Sequence, residues 1–210
     1  MVVTRLQSNN GLGNSQVPRR AGMRWWAISA LCYLCNAPEL WSQTPEEWQA
    51  AARTIRRLPP DSFPGLPKAI RAALVARGCQ VPQSFTRPRP HNVIAGHFAR
   101  PGQQDWAVLC SHQDSSSILI FWGHAGVAEP TEIGRAADAS FLQGIGHGRI
   151  GYSRIVGVAS PAQIREYAAA SGGPLPARLD HDGVEDAFAA KASTVAYFEG
   201  GRWRVLTGAD

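Results

Sequence analysis

The 210-residue sequence has few charged residues and no stripe of basic ones. Charged side chains make up 18% of it, and 21 lysines and arginines against 16 aspartates and glutamates give a net charge of +5. Four of the arginines but a single acidic residue fall within residues 1–42, so the rest of the chain is close to neutral. Because a nucleic-acid-binding protein needs a concentrated basic surface, we expect no nucleic-acid partner.

The sequence also lacks an apolar run long enough to cross a bilayer. Its longest such run covers residues 25–37, whereas a membrane-spanning helix needs about 20 apolar residues. This run follows three arginines and precedes short polar and small residues, an order that is typical of a secretory signal peptide. We predict that residues 1–42 are an upstream extension and a signal peptide cleaved after Ser42, with Met1 and Met23 as alternative starts. The mature protein would then be secreted or periplasmic, without a stable membrane span.

Cysteine is scarce, and two of the four cysteines belong to the predicted mature protein. Cys32 and Cys35 lie within the apolar run of the signal peptide. Cys79 and Cys110 remain, and an even pair in an oxidising compartment is most simply a disulfide. We therefore predict a Cys79–Cys110 bond.

The chain after the signal peptide has the patterns of an α+β domain. Thr44 and Glu47 stand at the spacing of a capping box, which indicates that a helix begins there. Later in the chain, β-branched and aromatic runs separated by short turns are typical of strands. We expect N-terminal helices packed on a mainly antiparallel β-sheet, with a C-terminal β-hairpin. The expected organisation is one domain at 43–210, with a helical part at 43–86 and a sheet part at 87–210.

Acidic side chains concentrate around one glycine in residues 179–188, LDHDGVEDAF. Asp182, followed three residues later by Glu185, matches a helix N-cap with its capping box, and we predict that a helix begins here. Two alternatives remain open. Asp180, Asp182 and Asp186 match a short calcium-binding pattern, and the same carboxylates would also suit a catalytic cluster. Apart from this calcium alternative, no cofactor is expected.

Motifs for a nucleophile are missing. No serine stands in a G-x-S-x-G pattern. The G-x-G-x-x-G match at 146–151 precedes a strand-like segment rather than a helix, which predicts a turn. The remaining candidates for catalysis are His97, His112, Asp180 and Asp182.

Two resemblances add to these observations. The segment 92–122 resembles a hairpin of FG-GAP/VCBS-type propellers, through Gly96, Phe98, Asp105, Ala107 and Val108. Where that family has calcium ligands in the loop, this sequence has Ala99 and Pro101. The chain from residue 63 to 210 resembles a family of uncharacterised exported bacterial proteins, through DWAVLCS, SSILIFW, LDHDGVEDAF and GRWRVLTGAD. The second resemblance implies export and a shared fold.

These observations leave two hypotheses about function. The first is a non-catalytic module that binds a protein, a glycan or a small ligand, and the second is an extracytoplasmic hydrolase that uses the histidines and aspartates above. A hydrolase should place a histidine and a carboxylate in one pocket. A binding module should expose an aromatic or apolar patch, for which the candidates are Trp106, Trp122, Tyr197 and Trp203.

Intact-mass analysis of the protein from its native host tests the export prediction. We expect a mature chain that begins near residue 43, because the basic segment and apolar run before it would be removed on translocation. A full-length species in the cytoplasm would contradict the prediction.

Overall fold

Antiparallel strands dominate the structure, a computed structural model that describes residues 43–123, 129–172 and 179–208. The predicted signal peptide lies outside these residues. The three helices are α1 (Pro45–Arg53), α2 (Lys68–Ala76) and α3 (Pro161–Ala170). The strands are β1 (Arg57–Leu58), β2 (Val81–Pro82), β3 (Val93–Gly96), β4 (Asp105–His112), β5 (Ser115–Phe121), β6 (Thr131–Ala137), β7 (Leu142–Gly144), β8 (Ile150–Tyr152), β9 (Arg154–Ala159), β10 (Gly183–Phe188), β11 (Ala192–Glu199) and β12 (Arg202–Thr207).

The strands form two four-stranded sheets with the orders β3-β4-β5-β6 and β12-β11-β10-β9. Two small sheets, β1-β2 and β7-β8, complete the described part of the chain. Neighbouring strands pair antiparallel throughout these sheets, and β11 and β12 form the predicted C-terminal hairpin. The prediction of a mixed α+β chain with antiparallel strands is confirmed. The strands are divided between two main sheets, however, where we expected one.

One hydrophobic core lies between the two four-stranded sheets. Leu109 and Ile118 from the first sheet pack with Val156 and Val184 from the second. Because side chains alternate along a strand, Val108 and Cys110 point to the opposite face of the first sheet. A second cluster there includes Val108, Leu119, Ile70 and Leu74. The central strands β4 and β5 are thus buried on both faces, as their nearly continuous apolar sequences predict.

Local sequence signals explain the start of two helices. Glu47 N donates to Thr44 Oγ1, and Thr44 N donates to Glu47 Oε2, so the predicted capping box is confirmed in α1. Ser160 and Gln163 make the same reciprocal bonds at the start of α3. The GHGRIG segment includes the turn between β7 and β8, as predicted.

Cys79 and Cys110 lie at disulfide distance, with Cα atoms 5.3 Å apart, in agreement with the predicted bond. The two residues are 31 positions apart in the sequence. In the chain-entropy account, closing a loop of this length stabilises the folded state by about 3–4 kcal/mol. The bond ties the segment after α2 to the central strand β4.

The helix that Asp182 was expected to cap is not formed, and that prediction is wrong. Residues Gly183–Phe188 are strand β10, which pairs with β9 on one side and β11 on the other. Val184 and Phe188, four residues apart, share one face in a helix and also in a strand, so their spacing could not distinguish the two. Asp182 instead terminates β3, since its Oδ2 accepts a hydrogen bond from His97 N at 2.9 Å.

Arg154 is fully buried between the two main sheets. Its Nε and Nη2 donate to the two oxygens of Asp186, at 2.9 and 2.7 Å. Nη1 donates to the carbonyl and hydroxyl oxygens of Ser116, both at 3.0 Å, and Nη2 also donates to Gly134 O. The guanidinium lies over the ring of Phe141, 4.4 Å from its centroid. One side chain of β9 therefore binds β10 in its own sheet and β5 and β6 in the other.

Replacement of Asp186 by Asn should strongly destabilise the fold. The variant leaves the buried Arg154 charge without its counterion, a change that typically costs about 3–5 kcal/mol. The free energy of unfolding, measured by urea denaturation, checks this expectation. The matched control is Arg135→Gln, which breaks an exposed ion pair with Glu132 and should move the midpoint little. Equal midpoints for wild type and Asp186→Asn would contradict the role given to Arg154.

Candidate ligand-binding cleft

The two candidate catalytic histidines lie far apart. His97 directly follows β3, whose last residue Gly96 pairs with Asp105 at the start of β4. His112 is the last residue of β4. At about 3.3 Å per residue, the eight residues of this strand separate the two ends by more than 20 Å. His97 and His112 therefore do not belong to one site.

The acidic candidates are divided as well. Asp182 contacts the backbone of His97, and Asp180 Oδ1 lies 3.2 Å from His181 Nδ1. Asp186 stands four strand residues beyond Asp182, about 13 Å away, and holds Arg154. The three aspartates of the calcium pattern therefore do not converge on one ion. In the described ranges, no three His, Cys, Asp or Glu side chains are grouped so that they could hold a metal.

A pocket of about 260 Å³ does contain His112 together with two carboxylates, Glu129 and Glu132. Each carboxylate has an arginine partner. Arg77 Nη2 lies 2.7 Å from Glu129 Oε1, and Arg135 binds both oxygens of Glu132. The hydrogen bond from Arg135 lowers the pKa of Glu132, which makes this carboxylate a poor proton acceptor.

A second cavity, of about 370 Å³, opens beside the Arg154–Asp186 ion pair. Phe141 and Phe188 contribute aromatic surface to it. Because Arg154 and Asp186 neutralise each other there, the cavity has no free charge from this pair to offer a ligand.

A third cavity, of about 270 Å³, lies between the end of α1, the segment that follows β2, and the β7-β8 hairpin. Its apolar lining includes Ile55, Leu142, Ile150 and Tyr152. The ring of Phe85 lies at this cavity, and we call it the Phe85 cleft. The sequence analysis assigned no role to Phe85 and missed this site.

Phe85 is 44% exposed, unusual for so large an apolar side chain. The backbone fixes its position, because Phe85 N donates to Tyr152 O at 2.8 Å. Its ring lies directly on Gly151, where a Cβ would come within 3.0 Å of the ring atoms Cγ and Cδ1. A Cβ at position 151 would require the ring to move by a few tenths of an ångström, so glycine favours this close contact with β8.

Two arginines, Arg56 and Arg87, complete the Phe85 cleft. Both are exposed, and Arg56 Nη1 lies 3.5 Å from Pro88 O. Within residues 43–123, 129–172 and 179–208, neither forms a salt bridge. Pro88 directly follows Arg87 and restricts the backbone of Arg87 to extended conformations.

The neutral polar groups of the cleft are already hydrogen-bonded within the protein. Gln83 Nε2 donates to the carbonyls of Val81, Pro82 and His91. Thr54 Oγ1 donates to carbonyls of α1, and Tyr152 OH lies 3.4 Å from Ser116 Oγ. The cleft therefore offers a ligand two guanidinium groups and apolar surface.

His91 is hydrogen-bonded to Gln83 and Ser84, and so it joins the two ends of the segment that carries Phe85 and Arg87. Its Nε2 accepts from Ser84 N at 2.8 Å, so its Nδ1 carries the proton and lies 2.9 Å from Arg89 O. Gln83 and His91 also bond each other through backbone and side-chain atoms. Burial lowers the pKa of His91 below its usual value, and the positive charges of Arg87 and Arg56 lower it further.

The aromatic residues expected at an exposed patch lie elsewhere. Tyr197 is buried, and Trp106, Trp122 and Trp203 are half-buried. Trp122 and Trp203 stack with ring centroids 5.7 Å apart at the end of the sheets. An aromatic residue beside arginines in a proline-rich segment, SFTRPRP, is the signal that could have pointed to Phe85.

Comparisons with protein-family models, with curated proteins and with solved structures give no match for this chain. The two family resemblances therefore stay predictions.

The stability of the fold should fall as the pH drops below about 6.5, because of His91. The folded pKa is lower than the unfolded one, so the unfolded state binds more protons in acid. The contribution of His91 to the free energy of unfolding is fully present above the pKa that His91 has in the unfolded state. It is lost as the pH falls through the lower pKa that His91 has in the folded state. Protonation of Nε2 would also break the bond from Ser84 N.

Melting temperatures of wild type and His91→Gln at pH 7.5 and pH 5.0 check this expectation. The difference in melting temperature between wild type and His91→Gln should be smaller at pH 5.0 than at pH 7.5. His147→Gln, at an exposed turn histidine, is the control and should leave the pH dependence unchanged. An identical pH dependence for wild type and His91→Gln would contradict the assignment.

Proposed function

We propose that this chain is an exported, non-catalytic binding module whose ligand occupies the Phe85 cleft. The observation that supports this most is the exposed ring of Phe85 beside Arg56 and Arg87, above an apolar floor. Large aromatic and arginine side chains are the residues that contribute most to binding sites. The contacts of Phe85 with Tyr152 and Gly151 position its ring, which reduces the entropy lost when a ligand binds.

The chemistry of the cleft favours binding over catalysis. Its described lining contains no Asp, Glu, His, Cys or Lys. Guanidinium groups stay protonated and cannot accept a proton as a general base. The hydroxyls of Thr54, Ser84 and Tyr152 have partners within the protein. Nothing in this lining would generate a nucleophile, whereas charge and apolar contact would hold a ligand.

Export and the packing of the N-terminal helices belong to the same proposal. The cysteine pair at disulfide distance is compatible with an oxidising, secreted or periplasmic location. No described helix is both long and apolar enough to cross a membrane. The proposal takes the helical part, 43–86, to pack against the sheets as predicted, because the cleft lies where this part meets the β7-β8 hairpin.

The alternative is an extracytoplasmic hydrolase, and the pocket of His112, Glu129 and Glu132 supports it. A histidine and carboxylates share a concave site there, as such an enzyme requires. Against it, the arginine partners of both glutamates oppose a role as proton acceptors.

Chemical-shift mapping with a mixed fragment library distinguishes the two functions. Protein expressed from the full sequence and labelled with ¹⁵N should show its largest shifts at the amides of Phe85, Gly151 and Tyr152. Phe85→Ala should remove these shifts. Val75→Ala, which truncates another exposed apolar side chain that does not line the cleft, should retain them.

The same samples are assayed for hydrolysis of model esters, amides and phosphoesters. We expect no turnover above the rate in buffer. Shifts that centre on His112, with hydrolysis that is lost in His112→Ala, would overturn the proposal in favour of the hydrolase.

A further inference from the structure

Arginines line all three cavities, but their charges are balanced in only two. Arg77 and Arg135 have glutamate partners beside His112, and Arg154 has Asp186. In the Phe85 cleft, Arg56 and Arg87 have no carboxylate partner among the described residues. Both arginines line this one cavity, and Arg56 Nη1 lies 3.5 Å from the carbonyl oxygen of Pro88, the residue after Arg87. Two guanidinium groups at one cavity that lack a counterion in the described part of the chain favour an anionic ligand there.

The apolar part of the lining favours a different kind of contact. Leu142 and Tyr152 are buried at its floor, and Phe85 lies exposed at its edge. A ring or short aliphatic chain placed there would remove apolar surface from water, and aromatic stacking on Phe85 would add to this. A ligand that suits the cleft therefore has a charged end and an apolar end.

The size of the cleft and the hydrogen bonds of its polar side chains restrict the class of ligand further. Its volume of about 270 Å³ is at the lower limit for small-molecule pockets, which fits one ring or one terminal residue. A neutral sugar needs several neutral donors and acceptors. The side chains of Gln83, Thr54 and Tyr152, which would supply them, have partners within the protein.

We infer that the Phe85 cleft binds an organic acid, with its carboxylate held by Arg56 and Arg87 and its aromatic or aliphatic group against Phe85, Leu142 and Tyr152. This inference rests on the proposed function and adds the chemical class of the ligand. The same chemistry occurs in a free organic acid and in the carboxyl-terminal residue of a peptide.

Calorimetric titration with matched compounds tests the charge requirement. 3-Phenylpropionate should bind, 3-phenylpropan-1-ol should bind at least tenfold more weakly, and 3-phenylpropylamine should not bind detectably. Arg56→Gln and Arg87→Gln should each weaken binding of the acid about tenfold, since each removes one charge from the site. Both side chains are exposed, so the melting temperature should stay unchanged.

The control variants are Arg53→Gln and Arg149→Gln, which remove exposed charges that do not line the cleft. Both should bind 3-phenylpropionate as the wild type does. A uniform loss in all four arginine variants would overturn the inference, because net charge rather than the site would then control binding.

A peptide with a carboxyl-terminal phenylalanine tests whether the natural ligand is a free organic acid or the carboxyl terminus of a protein. The free-acid peptide should bind, and its C-terminal amide should bind at least tenfold more weakly. Tighter binding of the peptide than of 3-phenylpropionate would indicate a protein carboxyl terminus, and the reverse would indicate a free organic acid.

Two results separate this inference from the proposed function. If the alcohol binds in the cleft as tightly as the acid, the organic-acid inference is wrong while the binding module stands. If no compound shifts the amides of Phe85 and Gly151, both are wrong.

Discussion

The buried guanidinium of Arg154 holds the two main sheets together. Burial of an unpaired charge costs several kcal/mol, so such a group persists only where its donors find partners. Arginine has five N–H donors, and the carboxylate of Asp186 with oxygens of Ser116 and Gly134 offers five acceptor contacts. These acceptors come from three strands in two sheets. The distance between the sheets and their relative position are therefore constrained by one side chain.

The Phe85 cleft depends on the same network. Tyr152, two residues before Arg154, forms the floor of the cleft, and its carbonyl fixes Phe85 N. The side chain of Asn92 donates to Arg154 O and accepts from Val156 N, so it continues the edge of the second sheet. Asn92 directly follows His91, whose hydrogen bond with Ser84 N joins the two ends of the segment that carries Phe85. These contacts position the apolar side of the cleft before a ligand arrives.

Much of the local structure could be predicted from the sequence, because its signals act over a few residues. The capping box at Thr44, the apolar runs of β4 and β5 and the C-terminal hairpin all follow from such signals. The prediction failed at β10, where an acidic start and a four-residue apolar spacing suit both a helix and a strand. Pairing with β9 and β11, which lie distant in sequence, decided the outcome. The cleft was missed for a similar reason, since Arg56, Phe85 and Tyr152 meet only in the folded chain.

A crystal structure of the protein soaked with 3-phenylpropionate tests the central claim most directly. The account predicts density for the carboxylate between Arg56 and Arg87, with the phenyl ring against Phe85 and Tyr152. Density beside His112 instead, or an empty Phe85 cleft at saturating concentrations of the acid, would contradict it.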